Sequence, residues 1–188
     1  MDGIEVRTHV DVEPETAFEF LLDFTGYAEF SHYVNTVTVV EDGDESRTPT
    51  NPGGEGTVYE IEFGWWRFSY RVRTAVTTVD PPETIEWRVV SDLDAHGRWK
   101  VEDRDSGPGV TVRFLAQYNP DSVSRGTFDL PAFLSLSGLI DRVIPLIESE
   151  GRRIVERVVT ELEGEPRSVV LVVEELEDHP MERQAGSA

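Results

Sequence analysis

Nine rings fall on alternate positions of strand-like segments: Tyr59, Phe63, Trp66, Phe68, Tyr70, Trp87, Trp99, Phe114 and Tyr118. Alternate strand positions share one face of a sheet, so these rings line a common wall. The chemistry such a wall can do is to hold an apolar guest, with the three tyrosine hydroxyls as its few placed polar groups. Groups able to move a proton are scarcer. Glu60, Glu62, Glu86 and Glu102 alternate out of step with the rings and face away from them. Asp23 and Asp129 stand where helix-terminus residues belong. Ser135 and Ser137 carry no signature of a nucleophile with its base. The four histidines, His9, His32, His96 and His179, have no metal-ligand spacing between any two. His32 lies near the expected pocket mouth, with an ionisation range suited to a general base; a plain surface histidine is the simpler reading. His96 falls in a turn, His9 on an outward face and His179 in the tail. Asn51-Pro52-Gly53-Gly54 lacks the lysine and the following helix of a phosphate loop.

The elements that must position the rings follow from period and punctuation. Ile4, Val6, Thr8 and Val10 alternate with Glu5, Arg7, His9 and Asp11, a half-buried strand within Ile4–Val12. Pro14 presets the first turn of a helix, Pro14–Phe24, with Glu13 and Glu15 at its positive end. Ala28–Tyr33 gives a second short helix and Thr36–Val40 the next strand. Glu41–Glu55 is rich in Gly, Asp, Ser, Pro and Asn and reads as a surface loop with the makings of a lid. Thr57–Phe63 and Trp66–Val79 form a hairpin turning on Gly64-Trp65, since glycine first suits a type II′ turn. That register sets Phe63 against Trp66, Ile61 against Phe68 and Tyr59 against Tyr70, and on the other face Glu62 against Arg67. Thr84–Val90, His96–Glu102 and Val110–Tyr118 complete six or seven antiparallel strands, apolar on one face and charged on the other. A long helix is predicted from about Pro131 to Glu163, with the stripe Ile140, Ile144, Ile147, Ile154, Val158 and Leu162. Pro145 kinks or splits it. Residues 168–173 form a β-branched strand that needs covering, by this sheet's edge or by a second copy. Residues His179 to Ala188 are expected to be disordered.

Composition bounds the partners. The chain has 188 residues, no cysteine, and 17 basic against 37 acidic residues, for a net charge of −20. Disulfides, zinc–thiolate sites and a thiol nucleophile are excluded. Lys100 is the single lysine. Carboxylates in excess with arginine as nearly the sole cation fit a salt-rich, halophilic cytoplasm, where screening removes self-repulsion and paired guanidinium contacts persist. Arg67, Arg71, Arg73, Arg88, Arg98, Lys100 and Arg113 gather on the outer sheet face among glutamates, which points to cross-strand ion pairs rather than a docking patch. Nucleic acid is not an expected partner, because no unopposed basic stripe is present. No apolar run approaches the roughly 20 residues of a spanning helix, so no stable membrane insertion is expected.

Pro14-Glu15-Thr16-Ala17-Phe18-Glu19-Phe20-Leu21-Leu22-Asp23-Phe24, followed by Tyr27 and Phe30, resembles the opening of the START-like, helix-grip superfamily. That group includes polyketide cyclases and dehydrases, Bet v 1-type proteins and coenzyme-Q-binding proteins. The resemblance covers about residues 3–163. It implies an α+β fold in which a curved six- to seven-stranded antiparallel sheet wraps around a long C-terminal helix, with two short helices after the first strand. A ligand-binding domain of residues 1–165 would then carry an extension of residues 166–188. The implied pocket lies between helix and sheet, lined by Tyr59, Ile61, Phe63, Trp66, Phe68, Tyr70, Trp87, Trp99, Phe114 and Tyr118 and, from the helix, Phe133, Leu136 and Ile140. Its expected occupant is an apolar small molecule such as a lipid, an isoprenoid quinone or a polyketide, with no cofactor and no metal. Three functions remain open: carriage or sequestration of that ligand; a cyclase or dehydratase using Tyr59, Tyr70 or His32 as proton donors; or a vestigial pocket in a chain that forms a homodimer through its C-terminal strand.

Overall fold

A computed structural model of the chain describes residues 2–40, 53–65, 68–91, 93–119, 122 and 151–176. Strand β1 (Asp2–Val10) leads into α1 (Pro14–Leu22), a 3-10 turn (Phe24–Gly26) and α2 (Tyr27–Phe30). Strands β2 (Val34–Val39), β3 (Val58–Trp65), β4 (Phe68–Asp80), β5 (Thr84–Val89), β6 (Ala95–Asp103) and β7 (Val110–Tyr118) follow. Residues 151–163 form helix α3, and β8 (Val172–Leu176) comes last. The eight strands make one antiparallel sheet in the order β2-β3-β4-β5-β6-β7-β1-β8. The fold is the α+β helix-grip arrangement. Within the predicted helix 131–163, only 151–163 belong to the described residues.

Four details depart from the sequence reading. In the β3–β4 hairpin Trp65 pairs with Phe68, Phe63 with Tyr70, Ile61 with Val72 and Tyr59 with Thr74, not in the register that a turn on Gly64-Trp65 would set. Gly64 lacks the positive φ that a type II′ turn needs and instead continues the strand. Its N–H donates to the Tyr33 carbonyl at 2.8 Å, and a Cβ there would meet Asn35 at 2.5 Å. Glycine serves close approach here, not a turn. Because the two registers differ by an even number, the side chains of residues 59–63 and Tyr70 keep their faces; Glu62 simply finds Arg71, at 2.9 Å.

In α3 the residues in the core are Val155, Val159 and Leu162, with Val159 fully buried. The predicted stripe ran through Ile154 and Val158. Two adjacent apolar pairs, 154–155 and 158–159, leave the period unable to choose between neighbouring faces. Gly164, at φ 77°, ends the helix by donating its N–H to the Thr160 carbonyl at 2.9 Å.

The β-branched run 168–171 is not strand. Val169 enters the core at 4% exposure, Val170 points out at 72%, and pairing begins only at Val172, on β1 of the same chain. A clamp holds the approach: Arg167 contacts both oxygens of Glu163 at 2.7 Å and the His9 carbonyl at 2.9 Å, while Asp11 N–H donates to Glu163 at 2.7 Å.

On the outer face the charges interleave. Lys100, Arg113 and Arg7 sit directly opposite one another across β6, β7 and β1, where like charges would repel. Diagonal carboxylates neutralise them: Glu102 lies 2.6 Å from Lys100 and 2.7 Å from Arg113, Glu5 lies 3.5 Å from Arg113, and Glu174 lies 2.9 Å from Arg7. Arg73 pairs with Glu60 at 3.1 Å. His96 lies in β6 opposite Arg88, within a strand rather than a turn. His9 Nδ1 sits 2.9 Å from the Thr111 hydroxyl on the same outer face.

Candidate ligand-binding site

The inner sheet face, against which α1 and α3 pack, has two ends of different character. At the end where β1 and β7 meet α1, Val10, Val76, Ile85, Val101 and Val110 are all buried. They pack with Ala17, Phe18 and Leu21 of α1 and with Val159 of α3. Along β3, β5 and β7, exposure rises away from that end. In β3 it goes from Tyr59 at 1% through half-buried Ile61 to Phe63 at 37%. In β5 it passes from buried Ile85 to half-buried Trp87, and in β7 from buried Val112 to half-buried Phe114 and Tyr118.

The family-like motif builds the closed end. Phe24 stacks on Tyr59 with ring centroids 5.0 Å apart and on Tyr27 at 5.2 Å. Tyr27 meets Trp99 edge-on at 6.3 Å, Trp99 lies 4.5 Å from Phe114, and Phe114 stacks on Trp87 at 5.9 Å. Phe20 and Phe30 touch edge-to-face at 5.3 Å. A continuous train of six rings therefore runs from the plugged end out onto the open wall. Trp87 can lie flat because its cross-strand partner is Gly97, where a Cβ would meet the indole at 2.5 Å and the Leu115 carbonyl at 2.2 Å.

Polar groups at the closed end are spoken for. Tyr27 donates its hydroxyl to the Leu21 carbonyl. Burial, with Asp23 and Tyr59 nearby, holds its pKa far above the ordinary phenol range. Burial also raises the pKa of Tyr59, against a hydrogen bond from the Gly53 backbone. Asp23 accepts from Thr25 at 2.5 Å and from Gly26 N–H at 3.3 Å, the helix-terminus role expected of it.

The predicted lining thus divides. Trp87, Trp99, Phe114, Tyr118, Tyr70 and Ile61 are half-buried on the inner face, and Phe63 is the most open of its rings among the described residues. Tyr59 is instead sealed in the closed end. Phe68 opens β4 opposite Trp65. Trp66, Phe133, Leu136 and Ile140 lie outside the described residues, as do loop residues 41–52, Asp129, Ser135, Ser137 and His179. Between β3 and β7 the ring-bearing positions hold no carboxylate; by register, Asp2 opposite Tyr118 and Glu175 opposite Ile4 occupy the inner face at the β1–β8 margin. The sequence reading missed both: it began β1 only at Ile4, and the pairing of β8 on β1 was not legible.

Sequence reasoning also missed a polar cleft of about 420 Å³ lined by His32, Arg153, Glu156, Arg157 and Thr160. Arg153, Glu156, Arg157 and Thr160 share one face of α3 at i, i+3, i+4 and i+7 spacing. Among the described residues no three His, Asp or Glu side chains gather as a metal site, and no helix is long and apolar enough to cross a membrane.

The sequence profile of a family described as polyketide cyclase/dehydrase and lipid transport matches residues 1–144. The chain belongs to that family. Among solved structures, the Thermus thermophilus protein TTHA0849 is similar at 14% identity and a TM-score of 0.59, over 86% of this chain and 97% of its own. The Zhui aromatase/cyclase from Streptomyces sp. R1128 is similar at 15% identity and a TM-score of 0.57, over 87% and 94%. Ara h 8.0201 is similar at 15% identity and a TM-score of 0.55, over 87% and 98%. At such identities the likeness shows the fold. No curated protein matches the sequence.

Proposed function

We propose that the protein binds an apolar small molecule, a lipid, isoprenoid quinone or polyketide-like compound, on the ring-bearing part of the inner sheet face beneath the C-terminal helix, for transport or sequestration. The observation that carries this reading is the burial gradient along β3, β5 and β7: the rings are sealed at one end and left half-exposed at the other. A row of rings held by backbone register yet short of full contact offers apolar surface to a guest, at roughly 25 cal/mol per Å² covered. Membership in a family described by cyclase and lipid-transport roles supports the ligand class. Ligand-binding residues under this reading are Ile61, Phe63, Tyr70, Trp87, Trp99, Phe114 and Tyr118, together with Phe133, Leu136 and Ile140, which the sequence alone assigns.

A cyclase or dehydratase activity is the second reading, favoured by Tyr70 and Tyr118 on the same face, with Asp2 opposite Tyr118. A homodimer through β8 fits the position of that strand at the sheet margin. Native mass spectrometry of protein purified in high salt is expected to show a co-purifying apolar molecule. Tyr70→Phe then separates the readings. Binding changes by about 1 kcal/mol or less for a carrier, whereas an enzyme using that hydroxyl as its acid loses about a hundredfold in rate. Protein free of any guest that also fails to take up a neutral apolar probe would sink the proposal.

A further inference from the structure

The open part of the inner face does not stop at its last ring. Phe114 on β7 pairs with Val6 on β1, and Val6 pairs with Val173 on β8, so the three side chains form one row on one face. Val6 and Val173 are half-buried, as Phe114 is. Among the described residues, none of the three belongs to the buried core cluster or to the half-buried apolar side chains packed against it. Trp99, directly opposite Phe114 on β6, does pack against that core. The ring wall therefore continues for two further strands, with aliphatic side chains in place of rings. We propose that this patch is the second half of the binding face: the aromatic part of the guest lies on the rings, and an alkyl or isoprenoid chain runs from Phe114 across Val6 to Val173. The C-terminal strand is then part of the site. This rests on the apolar-ligand reading above.

Distance and chemistry both fit a chain. Neighbouring strands lie about 4.8 Å apart, so Val173 is about 10 Å from Phe114 across the sheet. An extended hydrocarbon spans that gap and a single ring does not. The approach to β8 is fixed: Val169 enters the core, and the Thr8 hydroxyl donates to the Val170 carbonyl at 3.1 Å. Val173 is thus held in place by backbone pairing, and its branched side chain is stiff about its first torsion. Further along the same face stand two carboxylates, Asp2 on β1 and Glu175 on β8. Covering an ionised group with hydrocarbon is costly, so they bound the patch on that side and keep the chain on the Val6 row. Strand β8 also lies beyond residues 1–144, so the part played by Val173 is not one that the family profile describes.

The test uses the full chain in high salt and two neutral phenols that differ only in their tails, para-ethylphenol and para-octylphenol. Binding is read by displacement of the neutral fluorophore N-phenyl-1-naphthylamine. The octyl compound is expected to bind about fiftyfold tighter, roughly twofold per added carbon on a half-covered surface. Val6→Thr with Val173→Thr keeps the branched shape and the strand preference but adds hydroxyls. It should lower octylphenol binding about fivefold and leave ethylphenol unchanged, which also shows that the variant folds. Val170→Thr, on the same segment but 72% exposed, should change neither. In methyl NMR spectra of the unaltered protein, the octyl compound should shift Val6 and Val173 and the ethyl compound should not. Loss of both phenols in the double variant would mean loss of the fold, and the methyl shifts then decide. A tail-dependent gain with the Val6 and Val173 methyls unmoved overturns the aliphatic half and leaves the apolar-ligand reading standing. Failure of the fluorophore and both phenols to bind overturns both.

Discussion

At the scale of single residues, Gly97 decides whether the wall can be flat. Its missing side chain is the space that the Trp87 indole fills, and the Leu115 carbonyl stands 2.2 Å from where a Cβ would be. Gly97→Ala is therefore expected to destabilise the protein by about 1–3 kcal/mol through overpacking. That lowers Tm by several degrees for a chain of this size. It should also shift Trp87 emission, and scanning calorimetry with tryptophan fluorescence checks both. Glu163 is the second decisive residue. The Arg167 guanidinium and then the Asp11 N–H hold its carboxylate below the usual range, against partial desolvation. A folded-state pKa lowered in this way contributes stability above the unfolded value, near 4.3, and loses it as pH falls further. Glu163→Gln should lower Tm by an amount that is constant from pH 6 to 8 and vanishes towards pH 3; Arg167 is partly exposed, so about 1 kcal/mol is the scale. A difference that persists at pH 3 would contradict the clamp.

At the scale of elements, the C-terminal segment is stitched onto β1 rather than left free. Val169→Ala should cost about 1–3 kcal/mol as a buried truncation, and Val170→Ala, at 72% exposure, less than about 0.5 kcal/mol. Denaturant titration of the two variants checks the contrast. Much of the element pattern was legible beforehand. Strand β7 runs from Val110 to Tyr118 as its alternation dictates, and α3 ends at 163 just before the glycine that stops it. Faces were legible because strand period is 2 and survives even slips, which is why the β3–β4 rings stayed together when their partners changed. Partners were not, because Gly64 carries two meanings, turn former and close-packing residue, and only the approach of Asn35 distinguishes them. The division of the wall into sealed and open ends was also hidden. It depends on where the 3-10 turn lays Phe24 against Tyr59, a contact between residues 35 positions apart. The cationic cleft escaped notice since His32 and Arg157 meet only through the fold.

At the scale of the molecule, a net charge of −20 repels itself less the more it is screened. The Debye length shortens from about 10 Å at 0.1 M salt to about 3 Å at 1 M. Thermal stability should therefore rise over that interval; a Tm independent of salt would contradict the expectation that this charge suits a salt-rich medium. The same sheet presents rings sealed against α1 at one end and half-exposed at the other, and the functional account stands on that asymmetry. Its most direct test is the ¹H–¹⁵N NMR spectrum of the protein titrated with neutral N-phenyl-1-naphthylamine. The account predicts saturable shifts at Trp87, Phe114 and Tyr118, with Val76, Ile85 and Val110 unmoved. Saturating probe that leaves the ring positions still, or shifts only outer-face residues such as Glu102 and Arg113, would contradict it.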